Sequence, residues 1–184
     1  MTKRKLTNSK GGEDNYQWSS NSDKIYFTAK RDGDEAPQLY VLPLAGGEAQ
    51  RLTTLSTGVS DVKFSSDGSR IIFSSRVFPT AFTDSASKKL ADEKKKIKTK
   101  ARVYQSFPVR YWDSWLDEKQ GHIFVMDLKS GAQPLNLMAN VSLVNSLGFR
   151  LGSYNFGPDG KSVVFTATTE YNTTAYQSAK SNIY

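Results

Sequence analysis

The sequence predicts an all-β fold: a partial β-propeller of four-stranded antiparallel blades, about two full blades plus parts of two others. Two observations carry this. A twelve-residue pattern recurs without gaps from Trp18, Phe64 and Phe156, at offsets of 46 and 92 residues. A second unit follows the first: Gln38-Leu-Tyr-Val-Leu-Pro-Leu44 matches His122-Ile-Phe-Val-Met-Asp-Leu128, and Asn182-Ile-Tyr184 matches its opening. Four short strands in a repeat of roughly 40–50 residues mark a propeller blade.

The local chemistry justifies each element in turn. An aromatic ends the first strand, and Asn21-Ser22, Asp67-Gly68 or Asp159-Gly160 then makes a tight turn that tolerates positive φ. A β-branched and aromatic run returns antiparallel: Ile25-Tyr26-Phe27 in one copy, Val163-Val164-Phe165 in another. A Gly-containing loop leads to a third strand from Leu39 to Leu44, and Gly46-Gly47 to a fourth from Ala49 to Thr53. Lys5-Leu6-Thr7 echoes Arg51-Leu52-Thr53, so Lys3 to Thr7 is expected to close an earlier blade. One blade then runs over about 14–53 and a second over about 59–138, split by an insertion over about 79–118. A partial blade occupies about 152–184. Trp18, Phe64 and Phe156 are expected between blades.

Propellers close with four to eight blades. This set leaves strand edges and blade faces unpaired. The expectation is a cut piece of a longer protein or, failing that, self-association through the unpaired blades.

The composition, 38% hydrophobic and 12% aromatic, argues against disorder. No apolar run is long enough to span a membrane. Without cysteine, disulfides and thiolate chemistry are excluded. The formal charge of +7 is local: from Lys88 to Arg102 seven lysines and one arginine stand against Asp92 and Glu93, a net +6. Aromatic or base-reading side chains are missing from that segment, so nucleic acid is not an expected partner. Its Ala, Lys and Glu content and its lack of Gly and Pro predict a Lys-rich helical insertion, mostly solvated.

The chain supplies no catalytic residues of its own. A serine triad needs a base beside the nucleophile, and the one histidine, His122, stands at a strand position whose counterpart is Gln38. No Gly-x-Ser-x-Gly elbow occurs. No metal site or cofactor is expected, and the acidic stretch Asp32-Gly33-Asp34-Glu35 lacks a calcium-loop continuation and is expected to be a solvated turn. The candidates for a specific role are Arg110, Tyr111, Trp112, Asp113 and Trp115, an aromatic cluster bracketed by charge. Such a cluster suits a domain interface or a substrate channel, with Arg110 and Asp113 pairing or holding a peptide terminus; packing of the insertion onto its own blade is the alternative.

The Asp-Gly repeats resemble those of TolB-like proteins and of the prolyl oligopeptidase family of serine peptidases. Two segments sharpen the likeness. Residues 38–53 look like the peptidase branch in wording and spacing. The Lys-rich insertion leading to Arg110-Tyr-Trp-Asp-Ser-Trp115 and then His122-Ile-Phe-Val125 resembles acylaminoacyl-peptidases and bacterial dipeptidyl peptidases. The resemblance implies an N-terminal propeller that caps a C-terminal α/β-hydrolase domain and admits short peptides, so those two are the implied partners. It implies a gating role in removing acyl-amino acids or dipeptides, with the catalytic domain outside this chain. A TolB-like protein-binding module is the alternative. The compartment stays open between bacterial periplasm and cytoplasm.

Overall fold

The computed structural model describes residues 3–8, 11–99, 101, 103–105, 107–116 and 118–184. The first sheet is a meander of β1 (Glu13–Trp18), β2 (Lys24–Ala29), β3 (Gln38–Pro43) and β4 (Gln50–Arg51), in that spatial order. The second begins with β5 (Ser60–Phe64) and β6 (Arg70–Val77). The insertion follows, with α1 (Asp84–Lys96), β7 (Arg110–Tyr111) and β8 (Ser114–Trp115). The chain then resumes the second sheet with β9 (Gln120–Asp127) and β10 (Leu135–Asn136), giving the order β10-β9-β6-β5. The third sheet holds β11 (Arg150–Phe156), β12 (Val163–Thr168) and β13 (Asn182–Ile183). The pairings between these strands are antiparallel, and the architecture is the all-β, partial propeller that the repeats predict.

The three repeat turns are built alike. Their outer backbone bonds are Ser19 N to Lys24 O (3.0 Å), Ser65 N to Arg70 O (2.9 Å) and Gly157 N to Ser162 O (2.8 Å). The last turn residue has positive φ each time: 57° at Ser22, 68° at Gly68 and 62° at Gly160. Glycine takes that conformation without a Cβ clash, whereas Ser22 pays a steric penalty for it. Asp67 secures its turn by accepting bonds from the Ser65 hydroxyl (2.6 Å) and from Ser69 N (3.0 Å). Asp159 does the same for Lys161 N (2.9 Å) and the Ser162 hydroxyl (3.0 Å).

Strand alternation gives each sheet two faces, and the faces stack. Leu39 and Tyr26 of the first sheet meet Ile71 and Phe73 of the second, with the Phe73 and Phe124 rings stacked 5.6 Å apart. On the opposite side of the second sheet, Ile72 and Ile123 meet Tyr154, Phe156 and Ala167 of the third. Phe64 and Phe156 thus sit in seams, Phe64 with its ring 4.9 Å from Tyr26. Trp18 departs from the expectation: it is 53% exposed, because it occupies the side of the first sheet turned away from the second. Residues 3–8 form no strand, so the expected closing strand over residues 3–7 is absent; the segment lies beside Leu42 and Ala49. The insertion is helical as expected, over Asp84–Lys96, and Ile97 ends the helix in extended backbone. Lys100 and Arg102 of the basic cluster lie outside the described residues.

Candidate functional site

The insertion leaves and re-enters the second sheet at one end of the β6–β9 pair, where Val77 faces Gln120. Thr83 caps α1 by accepting from Ala86 N, with Asp84 in the first turn and Lys94, Lys95 and Lys96 in the last, charges that suit the helix dipole. The helix is not simply solvated. Asp84 accepts from Ser56 N (2.8 Å) and from the Ser56 hydroxyl (2.7 Å), on the link between the first two sheets. Ser87 is fully buried, and Lys88 pairs with Glu35 on a loop of the first sheet. At the far end Lys94 binds Glu118 (2.7 Å), and both Lys94 and Lys119 lie over the Phe78 ring. One helix therefore bridges two blades, while Lys89, Lys95 and Lys96 remain exposed. Amphipathic spacing could have signalled this, since Asp84, Ser87, Lys88 and Ala91 share one face.

The five candidate residues converge on one small hairpin. Arg110 pairs with Trp115 and Tyr111 with Ser114 along the backbone, leaving Trp112 and Asp113 at the tip. Trp112 has φ of 53° and is 84% exposed. Trp115 is stacked inside the insertion, with the Tyr104 ring 6.1 Å away and the Arg110 guanidinium 5.7 Å above its ring. Arg110 is thus held by the indole face, a cation–π contact. Asp113 is exposed at the turn, and the Tyr111 side chain lies outside the described part. Val103 and Phe107 nearby are also exposed. The result is a projecting aromatic platform carrying one cation, suited to contacting a chain or surface with apolar and anionic groups.

Two polar centres are buried, and the burial of the first was not legible in the sequence. The expectation of a solvated turn at residues 32–35 fails at Asp34, whose side chain is fully buried. It accepts from the Tyr40 hydroxyl (2.6 Å), Arg31 N (2.9 Å) and the Arg51 guanidinium (2.7 Å). Burial alone would raise the Asp34 pKa, but those donors outweigh it and hold the carboxyl below its usual range. Burial, reinforced by the Asp34 carboxylate, pushes the Tyr40 phenol up to about 12. The only signal was that Tyr40 and Arg51 would be cross-strand neighbours, as β3 and β4 make them. The second centre is His122, fully buried and stacked on Phe82, with Nδ1 3.1 Å from the Asn136 amide. Burial depresses its pKa to about 4, opposed by the Asn136 bond, so it is a neutral structural group at neutral pH. Its counterpart Gln38 is buried in the same way, bonded to Thr53 and to Leu55 N and O. Among the described residues no three His, Asp or Glu side chains group as a metal site. Nor is any helix there long and apolar enough to cross a membrane.

An open propeller with an aromatic insertion is the class of protein that these features define. Residues 2–79 match the family described as dipeptidyl peptidase IV (DPP IV) N-terminal region. The chain is 27% identical over 151 residues to the uncharacterized peptidase YuxL of Bacillus subtilis (strain 168), an alignment covering 82% of this chain and 21% of that protein. It therefore spans about a fifth of that relative's length. Among solved structures, TolB from Acinetobacter baumannii superposes with a TM-score of 0.51 at 17% identity, covering 97% of this chain and 31% of that one. The acylaminoacyl peptidase of Pyrococcus horikoshii gives a TM-score of 0.46 at 9% identity, over 85% of this chain and 20% of that one. TolB supports the propeller fold. The family match over residues 2–79 and the Bacillus relative liken this part of the chain to the N-terminal regions of peptidases.

Proposed function

We propose that the chain is the gating and substrate-filtering propeller of a serine exopeptidase that takes acyl-amino acids or dipeptides from short peptides. In this reading a hydrolase domain outside these residues carries the nucleophile and its base. The carrying observation is the match of residues 2–79 to a peptidase N-terminal region. The projecting platform of Trp112, Trp115 and Arg110 adds to it, because aromatic faces and a cation suit a peptide or the lip of a catalytic domain. The stacked sheets would exclude folded proteins by size and leave the selection of short chains to exposed groups such as Trp112.

The test uses the complete protein that contains this chain. It should label covalently with a fluorophosphonate and release chromophore from acyl-aminoacyl or dipeptidyl anilides. Trp112→Ala should raise KM for peptides several-fold and leave labelling unchanged. No labelling, together with specific capture of a protein partner, would overturn the peptidase reading in favour of a TolB-like binding module.

A further inference from the structure

The insertion carries two kinds of exposed side chain that the proposed function does not use. The first is cationic: from Lys88 to Arg102 seven lysines and one arginine stand against two acids. Lys88 pairs with Glu35 and Lys94 with Glu118, while Lys95 meets Asp92 only at 3.3 Å in solvent. Lys89, Lys96 and Lys98 are exposed and have no acidic partner among the described residues. The second kind is apolar. Ile97 is 61% exposed, Val103 80% and Phe107 47%. From Ile97 to Val103 the sequence alternates, with Lys98, Lys100 and Arg102 each set between uncharged residues. In extended backbone that pattern divides cations from apolar groups, and Ile97 is already extended, at φ −68° and ψ 117°.

These side chains stand on a fixed base. Asp84 holds Ser56 at the start of α1, and Lys94 holds Glu118 (2.7 Å) at its end. The exposed lysines, Ile97 and Val103 take no part in those anchors, and apolar groups left in water gain free energy when a surface covers them.

The residue types select that surface. Protein interfaces favour arginine, whose planar fork fixes its partner's geometry, and are depleted of lysine. Seven lysines to one arginine suit a partner that offers many negative charges in no fixed arrangement. Single-stranded nucleic acid offers such charge, but it stacks on aromatic faces and has no use for the aliphatic Ile97 and Val103. An anionic bilayer uses both kinds: its headgroups attract lysine, and the boundary with its acyl chains receives apolar side chains.

We propose that the insertion docks the protein on an anionic phospholipid surface. Lys89, Lys95, Lys96 and Lys98 meet the headgroups, and Ile97, Val103 and Phe107 enter the acyl boundary. The contact is peripheral and needs no spanning helix. It goes beyond the peptidase reading and leaves Arg110, Trp112 and Trp115 to that role.

The test is co-sedimentation of the complete protein that contains this chain with lipid vesicles. Phosphatidylcholine vesicles with about 30% phosphatidylglycerol should carry it down, and pure phosphatidylcholine should not. Lys89→Gln, Lys95→Gln, Lys96→Gln and Lys98→Gln combined should weaken binding about 100-fold or more, at roughly five-fold per lysine. Ile97→Ser with Val103→Ser should keep binding in dilute buffer and lose it at about 150 mM salt, where screening leaves the apolar contact to hold the protein. All six positions are exposed, so circular dichroism should not change. Equal binding to neutral vesicles, none to anionic ones, or full binding by the four-lysine variant would overturn the proposal. So would tighter binding to single-stranded DNA than to the anionic vesicles, which would assign the lysines to nucleic acid. Fluorophosphonate labelling reports the peptidase reading and sedimented mass reports this one, so the failure of either is seen without the other.

Discussion

Replacing Asp34 by Ala should destabilise the first sheet by about 3 kcal/mol, although Asp34 belongs to a four-residue acidic loop. The magnitude follows from the groups left behind. Tyr40 is 5% exposed and would keep a buried hydroxyl without its acceptor, a loss of about 1–3 kcal/mol. Arg31 N would lose its bond as well, at about 1 kcal/mol. Arg51 adds little, because its side chain is 43% exposed and water replaces the pair. Urea unfolding followed by circular dichroism measures the change. A double-mutant cycle with Tyr40→Phe isolates the hydroxyl–carboxylate coupling, expected at about 1–2 kcal/mol. The sign with pH is also set. The folded Asp34 pKa lies below its unfolded value, so its stabilisation is complete above the unfolded value and is lost as pH falls through the folded one. An Asp34→Ala loss below about 0.5 kcal/mol, or Tyr40→Phe costing the same with and without Asp34, would refute the latch.

Three further outcomes are expected. His122 has its folded pKa depressed to about 4 from 6.5, so the unfolded chain takes the proton first. Stability should be full above pH 6.5, fall through that window by about 3 kcal/mol, and fall less in His122→Gln, as acid titrations of unfolding will read. Ser22→Gly should stabilise by about 0.5–1 kcal/mol by relieving positive φ, seen as a raised urea midpoint; an unchanged or lowered midpoint would contradict the strain at that turn. Asp84→Ala should release the start of α1 from Ser56, cost about 1–2 kcal/mol and speed amide exchange in residues 55–58; unaltered exchange there would argue against a bridging helix.

How far the sequence carried depended on the range of the interaction. The repeat turns were legible because Asp67-Gly68 and Asp159-Gly160 settle their conformation within a few residues, and the structure repeats it at Asn21-Ser22. The candidate hairpin was legible as a cluster, since Arg110 to Trp115 are neighbours in sequence. Its form was not. Trp115 stacks with Tyr104 while Trp112 is left in solvent, because Trp115 lies on a strand of the hairpin and Trp112 at its tip.

By itself the sequence determined the blade pattern, the turn chemistry and the helical nature of the insertion, all of which act over a few residues or recur at a fixed period. Only the tertiary structure decided that Asp34 is buried beneath Arg51 and Tyr40, that α1 grips Ser56 and Glu35, and that Trp18 faces outward while Phe64 does not. The physical reason is the same in each case. A charge or an aromatic ring has one local preference, but whether it is solvated, paired or covered depends on which sheet lies across from it, and repeats of one pattern do not all have the same neighbours.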